Sequence, residues 1–314
     1  MISEQGYETF TSFECLNASL ANYMRFYNLG ITPSEIFFLG DGFNIAAINN
    51  PHFHITSNMY ISSFNFLDSL KFDYIHDTCI TDPMIFLRES ILGNKAIVIK
   101  VASKYLNYNR VFRQAENASH YINAIGLCEN KICISDGFVP TREPSSYQGW
   151  VSLNDILEGW GEKEYEYLCI QNFHVQMEPE PKKNLVLNKI KEGIRKYLNE
   201  NKIIDQMLQY IYHEFLSDND IRQVVLQCNY ELKIYGFISS KRFMHMWINE
   251  NLNNDSIANE YNNIILKWNN FCNLLLKFGF NKKYESLKLV KEYVYTLMEE
   301  ERILLQKILL EISE

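Results

Sequence analysis

All seven prolines and ten of the thirteen glycines fall at or before Pro181, so this 314-residue chain is heavily punctuated in its first part and barely afterwards. Proline removes a backbone donor and glycine loosens the backbone, and both are costly inside a helix. The first part must therefore break into short elements joined by turns, whereas the second can run in long helices. Apolar spacing agrees: from Asn184 onward it follows three- and four-residue steps, as in Leu185, Leu187, Ile190 and Ile194, or Ile264, Ile265, Trp268, Phe271 and Leu275. The MEPEPKKN segment between them reads as a stiff linker, which predicts one domain over residues 1–178 and a helical one over 179–314.

The first part reads as α+β. Leu16, Leu20, Tyr23, Met24 and Tyr27 form one helical stripe, with Gly30 where a helix C-terminus prefers a left-handed residue. Thr32 and Glu35 have capping-box spacing and predict a second, short helix. Strand-like runs come later, at 95–102, 120–128, 131–135 and 165–173, and a late antiparallel sheet behind an early helix is an α+β arrangement.

Charge is divided along the same line. Residues 1–178 carry 11 Lys and Arg against 20 Asp and Glu, and the rest carry 19 against 18, which leaves the whole at -8. Such a balance argues against nucleic acid as partner, because phosphate contacts need a basic surface. Lys182, Lys183, Lys189 and Lys191 make the start of the helical part locally basic, either a solvated face or a docking surface for an acidic partner. No stretch reaches the roughly 18 to 20 apolar residues needed to cross a bilayer, and the first residues lack the blocks of a signal peptide, so no membrane association and a cytoplasmic location are expected. Seven cysteines without a CxxC pair read as free thiols, with neither a disulfide framework nor a metal site.

Cys15 stands at the predicted start of the first helix, where the helix dipole and uncapped amides favour a thiolate. A structural cysteine would fit the same position. His120 opens an apolar strand, where a buried imidazole needs a partner. A hairpin centred near Glu129 and Asn130 returns Asp136 toward it, with a twist or bulge needed to complete the register. A carboxylate that orients an imidazole, and an imidazole that deprotonates a thiol, make a Cys-His-Asp relay.

The run ECLNASLANYMRFYNLGITPSEIFFLGDGFNI resembles the start of the butirosin biosynthesis protein H N-terminal family, and SHYINAIGLCENKICISDGF carries the matching histidine and acid. The likeness spans about residues 10 to 175. It implies a papain-like, C39-related catalytic domain followed by an all-helical region, with Cys15 as nucleophile, His120 as base then acid, and Asp136 as orienting carboxylate. It further implies transfer of an acyl group from a carrier-protein thioester onto an amine, an aminoglycoside or a simple diamine. Phosphopantetheine would arrive on the acyl or peptidyl carrier protein, and the enzyme needs no cofactor of its own. The sequence departs from many papain-like enzymes in one respect: Thr9 stands six residues before the cysteine, where they place an oxyanion-binding glutamine. Asn17 or Thr9 could supply that donor beside the Cys15 amide.

Gly40 and Gly42 in FLGDGF suggest a tight turn rather than a nucleotide fingerprint, and the family likeness makes Asp41 and Phe43 candidates to line the substrate site. His52 and His54 read as a solvated loop, and Trp150 and Trp160 as aromatic packing against the sheet. Leu304, Ile308 and Leu309 allow a homodimer. Two further functions keep the same residues: a C39-like cysteine peptidase or amidohydrolase, in which water resolves the acyl-enzyme, and a non-catalytic binding protein with a degenerate cleft.

Overall fold

The computed structural model describes residues 7–49, 52–56, 59–78, 81–93, 95–115, 118–141, 144–172, 179–200, 202–217, 220–234 and 236–313. Cys79 and the first two residues, 177 and 178, of the expected MEPEPKKN linker lie outside them; the rest of that segment is not an extended linker but the start of a helix that begins at Pro179. The chain divides into two compact units, one of residues 1–36 and 63–178 and the other of residues 37–62 and 179–314.

Twelve helices and eight strands are present among the described residues: α1 (Cys15–Phe26), α2 (Pro33–Leu39), β1 (Ala46–Asn49), β2 (Phe53–Thr56), α3 (Met59–Ser69), β3 (Asp73–Asp77), α4 (Pro83–Leu92), β4 (Ile97–Ala102), α5 (Arg110–Arg113), β5 (Ser119–Cys128), β6 (Lys131–Val139), β7 (Ser145–Ser152), α6 (Leu153–Gly161), β8 (Tyr167–Asn172), α7 (Pro179–Glu200), α8 (Ile203–Leu216), α9 (Ile221–Ile234), α10 (Phe237–Asn251), α11 (Asp255–Asn281) and α12 (Tyr284–Glu311). The expected mixture of helices, antiparallel strands and a helical later part is what the chain forms. The capping box forms as its spacing predicts: Thr32 Oγ1 accepts from the Glu35 amide at 3.3 Å, and Glu35 Oε2 accepts from the Thr32 amide at 3.0 Å.

In the first unit, six antiparallel strands run in the order β3-β8-β4-β5-β6-β7. One face packs Ile97, Ile99, Ile122 and Ile134 against Leu87 of α4 and Leu153, Ile156 and Trp160 of α6. Side chains alternate across a strand, so Asn123 points the other way and donates to the Ser19 carbonyl of α1 at 2.9 Å. The helix that begins at Cys15 is thereby fixed to the sheet. Gly137 lets it come close: a Cβ there would run into the Phe10 carbonyl, Asn22 Nδ2 and the Ala18 methyl.

In the second unit, β1 and β2 form a hairpin and helices α7 to α12 supply most of the mass. His54 lies in β2 and pairs with Glu231 at 3.0 Å, and His52 Nδ1 meets the Tyr210 hydroxyl at 3.3 Å, so the expected loop is partly a strand. Leu304 and Ile308 are buried within this unit and Leu309 is half-buried; the exposed large hydrophobic residues of α12 are Tyr284, Leu289, Tyr295, Ile303 and Leu310. Lys241 is wholly buried there, an arrangement that apolar periodicity does not announce.

Candidate active site

Glu14 has extended backbone angles and caps α1 with its own side chain: Oε1 accepts from the Leu16 amide at 3.0 Å and Oε2 from the Asn17 amide at 2.6 Å. The next residue is Cys15, and its thiol donates to the same Oε1 at 3.3 Å. This corrects the expectation of an uncapped helix start. Two of the amides that would have favoured a thiolate are committed to a carboxylate. Burial, then the charge of Glu14, push the Cys15 thiol well above its ordinary range, against the backbone N–H of Tyr121, which favours the thiolate. Burial also raises Glu14, opposed by the two amides, the thiol and His120.

Tyr121 follows His120, so the thiol lies against the strand that carries the imidazole. Counting back from the β5–β6 turn, Cys128 pairs with Lys131 and Gly126 with Cys133, but Ala124 then pairs with Ile134, one residue out of step. A bulge at this point shifts the register. Without it Asp136 would oppose Asn123, on the α1 face of the sheet; with it Ser135 takes that place, and alternation puts Asp136, the next residue, on the His120 face. His120 Nε2 and Asp136 Oδ1 accordingly meet at 2.9 Å, with the His120 side chain 5% exposed and that of Asp136 not at all. Where Asp136 is a carboxylate it only accepts, so in this bond His120 donates from Nε2, and Nδ1 is the other ring nitrogen.

Asp136 is held from two more directions. Oδ1 also accepts from the Phe138 amide at 2.9 Å, and Oδ2 from the Tyr108 hydroxyl at 2.6 Å. Phe112 packs against the His120 ring with centroids 4.7 Å apart, and Phe138 lies at 6.3 Å. The result is a thiol, a buried imidazole-carboxylate pair and a second carboxylate, gathered where α1 begins and β5 and β6 run together. The thiol proton is directed at Glu14 in this resting geometry, not at the imidazole as the relay requires.

The two oxyanion candidates are engaged elsewhere. Asn17 is buried, donates from Nδ2 to the Pro33 carbonyl at 3.0 Å and accepts from Ser12 Oγ at 2.7 Å, bracing α1 against the segment that starts α2. Thr9 donates its proton to Gln148 Oε1 at 2.8 Å and lies 2.7 Å from Ser135 Oγ. Asp41 and Phe43 belong to the second unit. Asp41 sits at a left-handed turn and pairs with Lys189 at 2.8 Å, and Phe43 is buried against Phe37, Phe38 and Tyr197. The FLGDGF glycines serve close packing: a Cβ on Gly40 would meet the Ser62 carbonyl, and one on Gly42 the Phe37 ring. Trp160 is buried in the core and donates to the Glu166 carbonyl at 2.8 Å, as aromatic packing predicts. Among the described residues no three His, Cys, Asp or Glu side chains converge as a metal site, and no helix is long and apolar enough to cross a membrane.

No protein-family model matches the sequence, and no curated protein matches it. Among solved structures, the fold is similar to a Bacillus anthracis protein provisionally described as a C39-like peptidase, at 11% identity and a TM-score of 0.36, over 53% of this chain and 95% of that one.

Proposed function

We propose that the protein is a cysteine-dependent acyltransferase with a papain-like catalytic unit, taking an acyl group from a carrier-protein thioester and passing it to a small amine. The observation that carries this reading is the buried 2.9 Å pair of His120 Nε2 on β5 and Asp136 Oδ1 on β6, with the Cys15 thiol lying against β5 beside His120 at Tyr121. In the reaction, His120 Nδ1 takes the thiol proton as sulfur attacks the thioester carbonyl. The tetrahedral intermediate collapses, the pantetheine thiol leaves with that proton, and the acyl group remains on Cys15. The amine then attacks the acyl-enzyme, His120 takes its proton, the Cys15 sulfur departs and an amide is released. Thioester exchange changes bond energy little, so a thiol that is protonated at rest suffices if its base is fixed beside it.

The backbone N–H of Cys15 is the oxyanion donor in this reading, with Asn17 and Thr9 engaged elsewhere. Amine rather than water as acceptor is favoured by two features. Phe112 and Phe138 cover the imidazole. The acidic balance of residues 1–178 draws in a cationic acceptor.

The test is incubation with an acyl-pantetheine or acyl-carrier thioester followed by intact-protein mass spectrometry. The expected result is a single acyl adduct, absent from Cys15→Ala and released as an amide when a diamine or aminoglycoside is added. An adduct on Cys15→Ala, or none on the wild type, overturns the proposal. Release as free acid despite added amine shows a hydrolase instead.

A further inference from the structure

We infer that Tyr108 is a positioning residue for this chemistry, fixing Asp136 and through it the His120 imidazole; the inference rests on His120 acting as the base for Cys15. Asp136 is fully buried, and three donors share its two oxygens. Oδ1 takes His120 Nε2 and the Phe138 amide, both at 2.9 Å, and Oδ2 takes the Tyr108 hydroxyl at 2.6 Å. A carboxylate tied at one oxygen can still rotate about its terminal bond; tied at both, it presents one fixed lone pair to the imidazole.

Tyr108 is itself held. Its ring stacks flat on Tyr147 of β7, with centroids 4.1 Å apart and planes 9° apart, and its edge meets Phe112 at 5.5 Å. Phe112 is the ring that covers His120. One phenol therefore orients the carboxylate with its hydroxyl and supports the imidazole's neighbour with its ring. Burial, then the Asp136 charge, raise the phenol well above its ordinary range, which favours the hydroxyl as donor to the carboxylate. Other titratable groups around the pair are Cys15 at the start of α1, its cap Glu14, and Tyr147 from β7.

The test reads the thiol directly and needs no substrate: the rate of Cys15 alkylation by iodoacetamide against pH, measured on the full chain. His120→Ala sets the unassisted limit, and if it matches wild type the underlying reading of His120 fails whatever Tyr108 does. Given that difference, Tyr108→Phe is expected to lower the neutral-pH rate by roughly tenfold, the factor that a hydrogen bond to a charged group represents, and to move the midpoint toward that of His120→Ala. Tyr147→Phe keeps the stacking, leaves Asp136 untouched and is expected to follow wild type. A Tyr108→Phe profile superimposable on wild type, with or without a change in melting temperature, overturns the inference. Should that variant not fold, 3-fluorotyrosine at 108 keeps the ring and hydroxyl and strengthens the donor; a midpoint that does not move is then the overturning result.

Discussion

Because Glu14 takes the amides of Leu16 and Asn17 and the Cys15 proton with one carboxylate, the side chain that starts the helix also opposes its neighbour's ionisation. Neutralising it separates the two effects. A negative neighbour raises a thiol, so Glu14→Gln should lower the Cys15 thiol, bringing the alkylation midpoint to lower pH and raising the neutral-pH rate about tenfold for each unit moved. The same change weakens the cap, at about 0.5–1 kcal/mol in denaturant unfolding. A variant that loses stability without alkylating faster would show that burial alone raises the thiol. Cys15, His120 and Asp136 were legible because each sits on a local pattern: a helix start, a strand start, a hairpin end. Glu14 was visible beside the cysteine, but glutamate is not a common cap, and its effect on the thiol reverses the one that position suggests. Tyr108 lies 28 residues from Asp136, and nothing local joins them.

At the scale of elements, the hairpin left a discrepancy of one residue that the bulge between Ala124 and Gly126 resolves. Strand parity makes that residue decisive, since a slip of one moves Asp136 across the sheet. The strands that the sequence did not announce have weak patterns for physical reasons. β3 is a largely exposed edge, and β7 interrupts its alternation with serines and Gly149. Contact between α1 and β6 depends on Gly137. Ser12 donates its amide to the Gly137 carbonyl at 2.9 Å, and Asn22 grips Phe10 by both backbone groups, at 2.7 and 3.1 Å. Gly137→Ala would place a methyl 2.7 Å from Asn22 Nδ2 and 2.8 Å from the Ala18 methyl, besides the Phe10 carbonyl. The backbone cannot yield without moving α1, so a cost of about 1–3 kcal/mol is expected, with Cys15 alkylation shifted toward the His120→Ala limit. Alkylation unchanged at reduced stability would mean that the strain relaxes away from the helix start.

At the scale of the molecule, the proline and glycine distribution marks out the long helices, but the membership of residues 37–62 in the helical unit is carried by tertiary packing that linear punctuation does not contain. The helical unit also has a polar centre. Lys241 Nζ donates to Glu301 Oε1 at 2.6 Å and to the Tyr197 hydroxyl at 2.7 Å, over the rings of Phe237 at 4.2 Å and Trp268 at 5.0 Å. Glu301 Oε2 accepts from Tyr197 and from Trp268 Nε1, both at 3.1 Å. Helices α7, α10, α11 and α12 thus meet on one ion pair. Desolvation makes such a pair a weak source of net stability, yet removing one member strands the other charge at about 3–5 kcal/mol. Lys241→Met should accordingly be severely destabilising, and Lys241→Met with Glu301→Leu substantially less so than the sum of the two single changes. The compact units make a further demand: calorimetry of Lys241→Met should show the helical unit's transition moving down while the Cys15 alkylation profile at a temperature below it stays that of wild type. Additive single changes would place the energy in packing rather than in the stranded charge, and an altered alkylation profile would mean that the thiol's surroundings depend on the helical unit's integrity.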